Sequence, residues 1–275
     1  MRWISVFALA ALSAGVSFGQ ACDPLATLGI GSTWSFTSHQ GDYLPTGQGM
    51  IGSFQILPGN RLTVTATIND GSVITRRAQA SGRYLVYDDC TGGELMFMIN
   101  ALPVQFEFVY VNGFAEMTMV ADYLDPRNSA ALALHGRARR TPLACPPGVT
   151  NPLTLLAGMA WSFETNGAYF FGVGSASVGI FNATINGAGL GVFTGVETIN
   201  NSLLGLTRRA SITGRFQVYP DCTGGEILIM NRDGAATHLQ LEFVFAGPNF
   251  DTLYLLNDET SVGGLQQVVG VARKF

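Results

Sequence analysis

The chain has 275 residues, with 15 Lys and Arg against 19 Asp and Glu, for a net charge of −4 at neutral pH. Charged residues make up only 12% of it and Gly numbers 34, so solvation falls to Ser, Thr, Asn and Gln, a balance that suits an extracellular all-β protein better than a helical cytosolic enzyme. With no basic stripe to release counterions from a phosphate backbone, nucleic acid is excluded as a partner.

The first stretch, "MRWISVFALAALSAGVSFGQA", carries Arg2, an apolar run from Ile4 to Val16 and then small residues. That is the three-part layout of a secretory signal over 1–21, and it is too short for a membrane span. Cys22 follows at or near the mature N-terminus, but Gly19 and Gln20 depart from a lipobox, which argues against a lipoprotein. No later segment offers about 18 uninterrupted apolar residues, so no transmembrane span is expected. The expected location is secreted, extracellular or periplasmic, in a bacterium.

Beyond the leader, short runs of period-two apolar residues alternate with Gly, Asn, Asp and Pro, the signature of strands joined by turns. In the first half they predict strands at Thr33–Ser38, Gly52–Leu57, Leu62–Asn69, Val73–Ala80, Gly82–Tyr87, Glu94–Ile99, Gln105–Val111, Ala115–Asp122 and Ala131–Arg139. Eight or nine strands of this kind predict a closed antiparallel barrel, in which closure removes exposed edges; a two-sheet sandwich is the alternative.

The second half repeats the first. "TRRAQASGRYLVYDDCTGGEL" (Thr75–Leu95) aligns without gaps to "TRRASITGRFQVYPDCTGGEI" (Thr207–Ile227), and "FEFVYV" and "HGRARR" recur as "LEFVFA" and "VGVARK". The organisation is therefore a repeat at 22–140, a linker at 141–144 and a second repeat at 145–275. In each copy the "DCTGG" segment is expected to form a hairpin whose φ > 0 positions fall to Gly. Four cysteines allow three pairings. Two copies of one fold favour the pairing that recurs, Cys22 with Cys90 and Cys145 with Cys222, one disulfide per barrel in an oxidising compartment.

Each copy has a Trp in its first strand, Trp34 and Trp161, and an Arg near the end of its last, Arg139 and Arg273. Barrel closure is expected to bring each Arg over its indole as a cation–π pair at the barrel base. This resembles the Trp and Arg pair of lipocalins and their relatives, with Gly31 and Gly158 one position farther from the Trp than in that family. The ordered set of Cys, Leu-Gly, an aromatic strand, "G-x-Y/F-x-V-x-x-D-C-T-G", "F/L-E-F-V" and a terminal "G-x-A-R" also resembles an uncharacterised family of secreted bacterial calycin-like barrels, of lipocalin or allene-oxide-cyclase type, usually with one copy per chain. The resemblance implies fold and export, and brings no catalytic residues.

Arg76 and Arg208 alternate with apolar neighbours, and Glu107 and Glu242 interrupt aromatic runs. If these four faced a lumen they would anchor a polar head group while aromatic walls held an apolar tail. Histidines 39, 135 and 238 do not recur between the copies, and no nucleophile, zinc or cofactor motif appears. The expected activity is therefore non-catalytic binding of a small apolar ligand in a barrel lumen. The alternatives are a structural or interaction module presenting loops to a partner or cell surface, and an isomerase or cyclase of the allene-oxide-cyclase sort.

Overall fold

The computed structural model describes residues 27–40, 49–69, 73–99, 102–121, 134–142, 145–169, 174–201, 205–257 and 266–275. The leader and Cys22 lie outside these, as do part of the linker and the start of the strand expected at Ala131.

The first repeat forms strands β1 (Thr33–Gln40), β2 (Gly49–Leu57), β3 (Arg61–Asn69), β4 (Ile74–Val86), β5 (Gly92–Ile99), β6 (Leu102–Val111), β7 (Glu116–Ala121) and β8 (Leu134–Thr141). Each strand pairs antiparallel with the next, and β8 returns to β1, closing the barrel. The second barrel contains β9 (Met159–Tyr169), β10 (Gly174–Ile185), β11 (Gly191–Asn201), β12 (Gly205–Val218), β13 (Gly224–Arg232), β14 (Ala235–Ala246), β15 (Thr252–Asn257) and β16 (Gln266–Lys274), with β16 closing onto β9. The fold is thus two closed eight-stranded barrels, not sandwiches. The run expected as two strands at Val73–Ala80 and Gly82–Tyr87 is a single strand, because Gly82 lies in the ladder opposite Phe97 and makes no turn.

Period-two patterning sends one apolar set inward in each barrel. Trp34, Phe36, Phe54, Phe97, Phe106 and Phe108 help fill the first interior; Trp161, Phe181, Phe193, Phe216, Phe243 and Phe245 help fill the second. An apolar inside with a mixed outside reverses the polarity of a transmembrane barrel. Among the described residues no helix is long and apolar enough to cross a membrane.

The repeated "DCTGG" turn works differently from its sequence expectation. Positive φ is taken by the cysteines, Cys90 at 54° and Cys222 at 57°, while the glycine pairs keep ordinary strand geometry. Each Asp braces the turn: Asp89 Oδ1 accepts from the amide and hydroxyl of Thr91 at 3.0 and 2.8 Å, and Asp221 Oδ1 from those of Thr223 at 3.1 and 2.7 Å. The glycines allow close approach. A Cβ on Gly93 would stand 2.8 Å from the Phe108 ring and 2.0 Å from the Leu85 carbonyl oxygen; on Gly225 it would stand 2.7 Å from the Phe243 ring and 2.0 Å from the Gln217 carbonyl oxygen.

Cys145, ahead of β9, is bonded to Cys222 in the β12–β13 turn, tying the segment that enters the second barrel onto that barrel. Cys90 is also disulfide-bonded; its expected partner, Cys22, lies outside the described residues.

The Trp–Arg pairing differs from expectation. Register places Arg140, not Arg139, opposite Trp34, and the Arg140 guanidinium lies 5.2 Å from the indole centroid while donating to the Thr27 carbonyl at 2.6 Å. In the second barrel Lys274 stands opposite Trp161 and Arg273 opposite Ser162. Alternation explains the correction: directly opposed residues share a face, so Arg139 and Arg273, one position earlier, point outward.

The barrels dock by different faces. Ile51 on β2 is buried in one cluster with Val244 and Ala246 of β14, Tyr254 and Leu256 of β15, and Val269 of β16. Polar contacts flank it: Asn69 Nδ2 donates to the Asn257 carbonyl at 3.1 Å, and Arg77 reaches the second barrel's "DCTGG" turn.

Replacing Gly225 by Ala is expected to cost about 1–3 kcal/mol by overpacking against Phe243, read from the denaturant midpoint. Removing the Cys145–Cys222 bridge by paired Ser substitution is expected to cost about 4 kcal/mol, since it closes a long loop in the unfolded chain; an unchanged midpoint would refute that estimate.

Candidate functional site

A polar cleft of about 670 Å³ opens between the barrels beside their apolar contact. One wall comes from β1, β7 and β8, the other from β9, β15 and β16. The wall on β8 follows from "HGRARR": Gly136 and Ala138 turn inward, while His135, Arg137 and Arg139 turn outward. The matching outward residues of β16 are Val269, Val271 and Arg273. The second barrel thus has an apolar strip that docks, where the first has a polar strip that lines the cleft.

Arg139 braces the cleft. Its Nε lies 2.8 Å from Glu116 Oε1, and its Nη1 donates to Thr252 Oγ1 at 2.6 Å and to Asp251 Oδ1 at 3.3 Å, so one guanidinium ties β7, β8 and the second barrel together. Tyr254 lies beneath, and burial pushes its phenol well above the ordinary tyrosine range. His39 and His135 are cross-strand neighbours on β1 and β8 whose rings meet edge to face at 4.1 Å. Arg137, Arg273 and Lys274 line the same cleft, are exposed, and have no carboxylate within salt-bridge distance among the described residues.

The four residues expected to line a lumen are placed elsewhere. Arg76 and Arg208 are exposed. A β-bulge breaks the alternation that put Arg76 on the face of Ala78 and Ala80: Thr67 opposes both Arg76 and Arg77, and Arg77 adopts φ 45° with its amide donating to Thr67 Oγ1 at 2.9 Å. The same bulge recurs at Arg209, φ 52°, against Thr198. Glu107 sits on the outer face, half-buried, opposite Glu94 and 3.4 Å from the Tyr87 hydroxyl. Glu242 is buried on the outer side of β14, opposite Glu226 and Leu256.

Two arrangements escaped the sequence reading. The first is the bulge arginine: Arg77 Nη2 donates to Asp221 Oδ2 at 2.8 Å, its Nη1 donates to Thr223 Oγ1 at 3.2 Å, and the guanidinium lies 4.3 Å from the Tyr219 ring centroid. The second is a carboxylate inside the second barrel, where Glu197, buried, accepts from Arg232 Nε. Its position two and four residues after the inward Gly195 and Phe193 was legible as period two; its partner, 35 residues away, was not.

No family model and no curated protein matches the chain. Solved structures match loosely. A protein of unknown function from the DUF3598 family of Nostoc punctiforme is 13% identical, covers 90% of this chain and 97% of its own, and has a TM-score of 0.28. The isotype 1 transferrin binding protein B of serogroup B Neisseria meningitidis is 7% identical, with 89% of this chain and 76% of that one covered at a TM-score of 0.30. A double mutant of transferrin binding protein B from Haemophilus parasuis is 9% identical, with 89% and 66% covered at 0.28. Likeness this loose carries no argument about the activity of this chain.

Burial alone would raise the Asp221 carboxyl, but Thr223 and the Arg77 guanidinium together hold it below the ordinary carboxylate range. A depressed carboxylate contributes stability that is present above its unfolded pKa, about 4, and lost as pH falls through the lower folded value. Arg77→Ala is therefore expected to shrink the acid loss of stability, seen as a smaller drop in melting temperature between about pH 5 and pH 2. An identical drop in both proteins would remove Arg77 from that linkage.

Proposed function

We propose that the protein is an exported, non-catalytic interaction module in which two barrels with aromatic interiors present the cleft between them to an anionic group of a partner. The observation that carries this reading is that Arg137, Arg273 and Lys274 line one polar cleft and form no ion pair among the described residues, although Glu116, Glu164 and Asp251 line it as well, whereas aromatic side chains pack the barrel interiors. Charged hydrogen-bond donors held on strands and spared an internal partner are preorganised for a carboxylate or phosphate. Arg139, already held by Glu116, Asp251 and Thr252, fixes the wall on which Arg137 stands.

An apolar ligand within a lumen is the weaker reading. The charged pair inside the second barrel, Glu197 and Arg232, already satisfies itself, Arg76 and Arg208 are exposed, and Glu107 and Glu242 stand on outer faces. Export belongs to the proposal, resting on the leader-like segment at 1–21.

Citrate and inorganic phosphate are the probes, titrated into the isotope-labelled chain and followed by amide shifts. Salt-sensitive shifts confined to β8, β9 and β16 are expected. Arg137→Glu together with Arg273→Glu is expected to weaken the binding at least about tenfold, while Arg83→Glu, on the outside of the first barrel, leaves it unchanged. Shifts scattered over the surface, or insensitive to the reversal in the cleft, would overturn the assignment.

A further inference from the structure

The joint between the barrels is heterologous, because the first barrel uses β1, β2 and β8 while the second uses β14 to β16. Both barrels are copies of one sequence, so each also carries a copy of the face its neighbour uses. The parts of those copies on β9 and β10 and on β6 and β7 lie on the surface.

The register identifies them residue by residue. Val178 on β10 occupies the place of Ile51 on β2, Val109 on β6 that of Val244 on β14, and Val120 on β7 that of Leu256 on β15. In the joint Ile51, Val244 and Leu256 are 0%, 8% and 0% exposed; their counterparts Val178, Val109 and Val120 are 56%, 48% and 50% exposed. Exposed apolar side chains at the positions that bury themselves elsewhere in the same molecule mark an unused contact surface.

The polar clasp is duplicated as well. Arg209 has the left-handed backbone of Arg77, 52° against 45°, and the same amide bond to a threonine hydroxyl across the bulge. Asp89 has the geometry of Asp221, with Oδ1 held by the following threonine; in Asp221 it is Oδ2 that receives Arg77. Bulge arginine and turn aspartate are thus both built a second time, at sites the internal joint does not use.

We infer that the chain assembles head to tail with further copies of itself, the β9–β10 face and Arg209 of one chain seating on the β6–β7 face and the Asp89 turn of the next. A heterologous contact of this kind closes into a ring or continues as a filament according to its rotation. Thr118 and His135, at the rim of the cleft between the barrels, stand where the internal joint has Tyr254 and Val269, so this contact buries less apolar surface and is the reversible one of the two.

Sedimentation velocity on the purified, oxidised chain, from about 1 μM to about 1 mM, tests it. The unaltered chain is expected to show concentration-dependent growth beyond a monomer. Val178→Asp and Val120→Asp, each on an exposed face and each checked for an unchanged melting curve, are expected to abolish growth singly; mixed in equal amounts they form a dimer and nothing larger, since each supplies one intact face. Arg209→Glu or Asp89→Arg alone weakens association at least about tenfold, and the two in one chain restore it. A monomer across the whole range, association that survives the two Val substitutions, or a mixture that stays monomeric would overturn the inference.

Discussion

The burial of Ile51 against β14, β15 and β16 is the contact on which the rest of the molecule depends. Each barrel is closed and satisfies its own ladder, so neither needs the other for its backbone hydrogen bonds. What joins them is an apolar strip on the outside of the second barrel, where an antiparallel sheet is ordinarily left to water. Docking that strip fixes the angle between the barrels, and the angle creates the cleft.

The polar contacts around the seam set its register more than its strength. Exposed ion pairs contribute little singly, and Arg77 with Asp221 is partly exposed on both sides. Its geometry is nonetheless specific: a guanidinium laid over Tyr219 while donating to Asp221 and Thr223 accepts only one placement of the turn. Arg139 does the same at the other edge, joining Glu116 within its own barrel to Asp251 and Thr252 of the neighbour. Beside the second clasp, Arg137, Arg273 and Lys274 line the cleft without an ion pair among the described residues.

Duplication followed by divergence of a few outward positions accounts for this division of labour. Inward residues are interchangeable between copies, as Trp34 with Trp161 and Phe108 with Phe243, because the barrel interior constrains them alike. Outward residues are not: His135 and Arg137 of the first repeat correspond to Val269 and Val271 of the second. Those two differences give β16 an apolar outer strip where β8 has a polar one.

The strand alternation, the internal repeat and the cysteine spacing made the two-barrel architecture and the Cys145–Cys222 bridge legible in the sequence, because period-two burial and loop closure are local or repeated signals. The bracing of each "DCTGG" turn by Asp89 or Asp221 is equally local, since the threonine it holds is two residues on. The rest had to wait for tertiary structure. A single αL residue at Arg77 reverses the alternation of β4, so Arg77 and not Arg76 reaches across; a one-residue register choice in the closing strand pair puts Arg140 and not Arg139 on Trp34. The cleft, and the meeting of His39 with His135, arise from strand closure and from which outer faces touch, neither of which leaves a mark within any stretch of chain short enough to read as a pattern.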